Sequence, residues 1–233
     1  MVSQRNKISE TNDSSTLSQN ELWKYYNSLI LSPDQSRIRK LLVRYELFKT
    51  SLEVPGDIVE CGVFKGVGLM YWAKLLEIFA RNSKKRVIGF DVFGSFEQVS
   101  LRPEEREVAL SHDQIAEQNS KVEISRTVKA AGLAHRIELI EGDIAHTASR
   151  YVAEHYGRRI SLLNLDCDTY DGTKAALTAF WPVISRGGVI IFDEYALEKM
   201  GESQAVDEFL KETNIRPSAV PFSETPTAYM LRP

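Results

Sequence analysis

The stretch "LLNLDCDTYDGTKAALTAFWPVISRGGVIIFDEY", residues 162–195, holds two apolar runs that each end in acids. The first runs out at Asp166 and Asp168, the second at Asp193 and Glu194, and a helix-length segment separates them. Short runs rich in Val, Ile and Leu, bounded by turn residues, are the pattern of parallel strands buried on both faces. Ile160–Cys167 and Gly187–Glu194 are therefore expected as strands, with a helix over 171–185.

The same alternation extends upstream to Pro55-Gly56, with strands expected at Asp57–Val63, Arg86–Val92 and Arg136–Asp143. Helices are expected over 67–81, 113–131 and 144–156. Alternating strands and helices give a parallel sheet covered on both faces. After a helix at 202–213, "RPSAVPF" and "TAYMLRP" read as two strands joined at Ser223–Pro226, an antiparallel pair closing the sheet. The expectation is an α/β, Rossmann-like fold with a mostly parallel seven-stranded sheet and an N-terminal helical extension. Residues 1–20 are polar and read as a flexible tail without the apolar core of a signal peptide. Residues 21–53 carry apolar side chains at helical spacing, broken near Ser32-Pro33, as a lid or oligomer contact would. The domain proper is placed at 54–233.

With 233 residues, 43% of them hydrophobic, the chain can bury one sizeable core. A net charge of -3 gives no basic face, which argues against nucleic acid as a partner. Cys61 and Cys167 both lie in apolar segments, which fits a reducing, cytoplasmic setting better than a disulfide framework. No apolar run approaches the ~18–20 residues needed to span a bilayer.

In open parallel sheets, ligands bind beyond the carboxyl ends of the strands, where strand order reverses. All five expected parallel strands run into acids on that rim, which is more than helix capping alone requires. The first leads into "VECGVFKGVG", where Gly62 and Gly66 let the backbone turn close to a ligand. The second ends at Asp91, which can accept both hydroxyls of a ribose. The third ends in "IEGDI", with Asp143 placed to accept from a purine amine and Ile144 to lie against its ring. The glycine turn lacks the Gly-Lys-Ser/Thr of a phosphate loop. Glu60, two residues before Gly62, would repel a phosphate and welcome an ammonium. Adenosine with an ammonium group describes S-adenosylmethionine. Asp166, Asp193 and Glu194 offer oxygen ligands of the type Mg²⁺ takes.

"PGDIVECGVFKGVG", "GFDVFGSFE", "IEGDI", "LNLDCDTYDGTKAAL" and "GGVIIFDEY" together resemble the macrocin O-methyltransferase group (TylF/MycF/NovP type) over about residues 54–195. These are class I, metal-dependent sugar O-methyltransferases of natural-product biosynthesis. The resemblance implies that Asp166 is a metal ligand, that Asp193 and Glu194 match the family's acid pair, and that Asp168 is the catalytic base. The family pair is usually Asp-Asp, so Glu194 departs from it. The implied acceptor is a sugar or glycosylated small molecule, with S-adenosylmethionine and Mg²⁺ as cofactors. The helical N-terminus leaves room for a homo-oligomer, and no membrane partner is expected. Two other readings share some of these residues. "DCD" is also the Asp-x-Asp of metal-dependent glycosyltransferases, and the acids could be helix caps in a non-catalytic adenosine-compound-binding protein. His112, His135, His146 and His155 read as bystanders, and "RPEERE" at 102–107 as a solvated helix face.

Overall fold

A computed structural model describes residues 17–115, 120–197 and 201–233. The expected tail at 1–20 falls largely outside these residues, as do the side chain of His112 and residues 116–119 of the helix expected over 113–131. The chain divides into two compact units, 1–34 and 35–233.

The smaller unit contains α1 (Gln19–Leu31), started by a capping box in which Ser18 and Glu21 bond each other's backbone N–H. None of its residues is buried, and Trp23, Tyr25 and Tyr26 are all more than half exposed.

The larger unit begins with α2 (Ser36–Ser51), so the break near Pro33 is where the sequence placed it. Its parallel strands are β1 (Asp57–Cys61), β2 (Val87–Asp91), β3 (Ile137–Glu141), β4 (Ile160–Leu165) and β5 (Ile184–Phe192). The linking helices are α3 (Val67–Phe79), α4 (Arg106–Ile115), α5 (Lys121–Ala130), α6 (Ile144–Glu154) and α7 (Tyr170–Phe180). After α8 (Glu202–Thr213), β6 (Ser218–Ala219) and β7 (Ala228–Leu231) complete a sheet of order β3-β2-β1-β4-β5-β7-β6. β7 pairs antiparallel with both β5 and β6, as expected.

The structure departs from the sequence reading in several places. β5 starts three residues earlier than Gly187, because Ile184 pairs with Ile160 before the register shifts. The long helix expected over 113–131 is represented by α4 and α5. The "RPEERE" run is not wholly solvated: Glu105 is buried and accepts the backbone N–H groups of Arg102 at 2.9 Å and Tyr170 at 2.7 Å.

Both faces of the sheet are covered. Phe90, Leu163 and Phe192 pack on one side with Tyr151 of α6, Phe180 of α7 and Val206 of α8. Ile58, Leu162 and Ile191 pack on the other with Phe48 of α2, Trp72 of α3 and Ile124 of α5. Each such large side chain contributes about 1.5–3 kcal/mol relative to exposure. Strand order reverses between β1 and β4, and the acid-bearing ends of β1, β4 and β5 meet there.

Candidate active site

β1 and β4 approach each other unusually closely at their ends. Gly62 has φ +90, and a Cβ there would strike the Asp166 carbonyl, so only glycine permits the approach. The contact brings the two halves of the site together.

In the first half, Glu60 is 1% exposed, with Oε1 3.7 Å from Arg44 Nη2. Its Oε2 is buried with no hydrogen-bond partner among the described residues, although the Trp72 indole lies close by. Burial pushes Glu60 up to about 8, with Arg44 pulling the other way. Gly68, in the first turn of α3, leaves the space: a Cβ there would overlap Glu60 Oε1 and come 2.5 Å from Arg44 Nη1. Asn164 pairs in register with Glu60, is fully buried, and leaves both amide atoms unpartnered among the described residues.

Asp91 and Asp143 are engaged with the backbone. Asp91 Oδ2 accepts from Val63 N at 2.7 Å and Phe64 N at 2.9 Å, and Oδ1 from Phe93 N at 2.7 Å. Asp91 thus shapes the glycine turn, and Oδ1 keeps one lone pair for a ligand hydroxyl. Asp143 caps α6 through Ala145 N at 2.9 Å and accepts from Ser100 N and Oγ at 2.9 and 2.8 Å. Asp143 thus joins the start of α6 to the Ser100 turn. Ile144 is buried in the core, and Gly66 is the left-handed residue before α3.

The second half gathers acids from β4 and β5. Asp166 and Asp193 both face the Lys40 ammonium: Nζ lies 2.7 Å from Asp193 Oδ2 and 3.3 Å from Asp166 Oδ2. Arg44, one turn further along α2, places Nη2 2.9 Å from the same Asp166 oxygen. Asp193 Oδ1 is buried without a hydrogen-bond partner among the described residues. Burial opposes ionisation of Asp166, but Lys40 and Arg44 outweigh it and hold that carboxyl below its ordinary range. Burial and the neighbouring Asp166 push Asp193 well up.

Asp168 has φ +64, a sparsely populated backbone region for a non-glycine residue. Burial, then the charges of Glu194, Asp166 and Asp193, raise its carboxyl well above the usual range. Asp168 is not the cap of α7, since Thr169 takes that place through Gly172 N. The Glu194 backbone N–H donates to Glu202 Oε1 at 3.0 Å. Glu202 is fully buried, and its carboxyl is pushed well up by burial and then by Asp168. Among the described residues, no three His, Cys, Asp or Glu side chains form a cluster that could hold a metal ion. The donor chemistry of Asp166 and Asp193 nevertheless suits a hard cation, since two carboxylates already converge on one positive charge and Asp193 has an oxygen to spare.

Sequence reasoning missed Lys40, Arg44, Asn164 and Glu202. The available signal for the first two was "RIRKLLVRYE", which sets basic residues four apart on a helix that is otherwise apolar on that side. Cys61 and Cys167 are free thiols, and no described helix is long and apolar enough to cross a membrane.

Comparison with known proteins gives a consistent answer. A tetracenomycin-C rhamnosyl 4'-O-methyltransferase of Streptomyces olivaceus is 27% identical over 150 residues, covering 62% of this chain and 55% of that protein. Mycinamicin III 3''-O-methyltransferase of Micromonospora griseorubida is 25% identical over 161 residues, covering 67% and 61%. The chain thus spans less than two thirds of these two relatives. The apo structure of CalS11, a TDP-rhamnose 3'-O-methyltransferase, superposes with a TM-score of 0.67 at 26% identity, covering 93% of this chain and 96% of that one. The fold is that of the class I methyltransferases. The family profile for macrocin O-methyltransferase (TylF) matches residues 35–226, from the start of α2 to the turn before β7, and the chain belongs to that family.

Proposed function

We propose that this protein is an S-adenosylmethionine-dependent O-methyltransferase that methylates a sugar hydroxyl on a glycosylated or nucleotide-linked small molecule, with Mg²⁺ as a second cofactor. The observation that carries this reading is the pairing of two carboxyl-bearing half-sites at the β1/β4 switch point. One is the buried, half-partnered Glu60 beside the glycine turn, and the other is the Asp166/Asp193 pair.

Glu60 Oε2 would take the ammonium of the methionine moiety, with the absent Gly68 side chain leaving room for the Glu60 carboxyl and Arg44. Asp91 Oδ1 would accept a ribose hydroxyl, with the adenine ring near Asp143 and Ile144. S-adenosylmethionine supplies the electrophilic methyl. Mg²⁺ held by Asp166 and Asp193 would lower the pKa of the acceptor hydroxyl and fix its orientation. Asp168 would take the hydroxyl proton while the oxygen attacks the methyl and S-adenosylhomocysteine leaves. Burial and the neighbouring carboxylate charges raise the proton affinity of Asp168, and a cation that offset part of that charge would leave it ionised and free to accept the proton. Glu194 adds negative charge beside Asp168.

The test is incubation with methyl-labelled S-adenosylmethionine and a panel of rhamnosides and nucleotide-linked deoxysugars, with and without chelator. Label recovered on a sugar oxygen, lost on chelation, supports the reading. Hydrolysis of a nucleotide-sugar donor without label transfer would instead favour a glycosyltransferase.

A further inference from the structure

Two cations of α2 face the acids to which this reading assigns the cationic groups of its ligands. Lys40 Nζ bridges Asp193 Oδ2 at 2.7 Å and Asp166 Oδ2 at 3.3 Å, and Arg44 faces Glu60 at 3.7 Å. Lys40 and Arg44 are separated by one helical turn, so a single face of α2 serves both half-sites. The helix is anchored independently of these ion pairs, because Val43, Leu47 and Phe48 are buried in the core. Arg44 is itself held, at 4% exposure and 5.6 Å over the Trp72 ring. Lys40 is different. Its side chain keeps 19% of its surface exposed and has a flexible four-carbon stem, so its head group can leave without α2 moving.

We propose that Lys40 is an intramolecular competitor for the cation site: its ammonium neutralises Asp166 and Asp193 until a divalent cation displaces it to solvent. This rests on the reading of Asp166 and Asp193 as metal ligands. A Mg²⁺ ion sits about 2.0–2.1 Å from its oxygen ligands. An ammonium already within hydrogen-bond distance of both Oδ2 atoms fills that space, so the two cannot be bound together on this face of the pair. The competition gives the acid pair a stable metal-free form. Without Lys40, two adjacent, largely buried carboxylates would face each other with, among the described residues, only Arg44 to offset them.

Two measurements test the proposal on the whole chain, with Mn²⁺ and Mg²⁺ as probes. The first is Mn²⁺ binding by electron paramagnetic resonance for wild type, Lys40→Met and Asp193→Asn. Lys40→Met should bind Mn²⁺ about tenfold tighter than wild type or more, since a competing charge is gone from the ligands, and Asp193→Asn should lose binding. The second is reductive methylation of wild type with site-resolved mass spectrometry. Lys40 should label slowly without metal and several-fold faster at saturating Mg²⁺, while Lys174, paired with Glu208 at 2.9 Å on the α7–α8 side, should keep a constant rate. Equal Mn²⁺ affinity in wild type and Lys40→Met, with Lys40 labelling unmoved by bound Mg²⁺, would overturn the proposal and leave the metal reading standing. No Mn²⁺ binding in either protein would overturn both. The labelling arm keeps the test decisive should Lys40→Met fold poorly.

Discussion

S-adenosylmethionine binding should be coupled to loss of a proton from Glu60. The glutamate is raised to about 8 by burial, against Arg44, so the metal- and ligand-free protein holds it largely neutral at pH 7. Pairing with an ammonium requires the carboxylate. Each pH unit below 8 therefore costs about 1.4 kcal/mol of binding, or a tenfold loss in affinity. From pH 8, where half of Glu60 is ionised, to pH 6, where about 1% is, the dissociation constant should rise about fiftyfold through this group, and about twentyfold net because the ligand's amino group is only partly charged at pH 8. Above pH 8 the ligand's own amino group, with an ordinary pKa of about 7.7–8.0, loses its charge and affinity falls again. The maximum thus lies close to pH 8. Calorimetric titration at pH 7 in two buffers of different ionisation enthalpy should show net release of roughly 0.8 proton per ligand bound, about 0.9 from Glu60 less about 0.1 taken up by the ligand's amino group. Glu60→Gln should bind more weakly at pH 8 and lose the slope below it. Stability has a linked sign. A carboxyl raised in the folded state favours folding fully below the unfolded value of about 4.5, and that advantage is lost as pH rises through about 8. Relative to Glu60→Gln, the wild type should therefore lose stability between those limits. A dissociation constant that stays flat from pH 6 to pH 8, with no proton release, would refute the reasoning.

Asp168→Asn should leave S-adenosylmethionine binding within about twofold and lower kcat by about 10²–10⁴, as removal of a general base does; equal losses in binding and turnover would argue against that role. Gly68→Ala should push Glu60 and Arg44 out of place, raising the S-adenosylmethionine dissociation constant about tenfold or more and costing about 1–3 kcal/mol in urea unfolding. Arg136→Met should cost about 3–5 kcal/mol in the same assay with the ligand site intact. Arg136 is 4% exposed, and its guanidinium bonds Glu77 Oε1 at 2.7 Å and the carbonyls of Ser83 at 2.7 Å and Lys85 at 2.9 Å, bonds that the variant would remove together.

The sheet was legible because its parallel strands are buried on both faces and so must be apolar throughout; β4 shows this, with every residue from Ile160 to Leu165 buried. The rim acids were legible as residues but not as roles. Asp143 turned out to cap α6, a local interaction that any acid at a strand-to-helix turn can make, whereas Thr169 relieves Asp168 of the same duty. Lys40 and Arg44 escaped notice because their partners, Asp166 and Asp193, lie more than 120 residues away in sequence. Helical spacing of Ile38, Leu41, Leu42, Tyr45 and Phe48 marks α2 as a helix, but the side it buries runs through Val43, Leu47 and Phe48, and the spacing says nothing of which acids wait opposite a cation there. Glu105 was missed for a similar reason: its burial is set by Arg102 and Tyr170, and the run around it looks like solvated surface.

The most direct measurement is titration of S-adenosylmethionine into the folded, metal-free protein at pH 8, repeated with Glu60→Gln. The account predicts saturable binding at micromolar concentrations in the wild type and at least a tenfold loss in the variant, with Mg²⁺ unnecessary for either. An absence of binding to folded wild type, or equal binding by the two proteins, would contradict it.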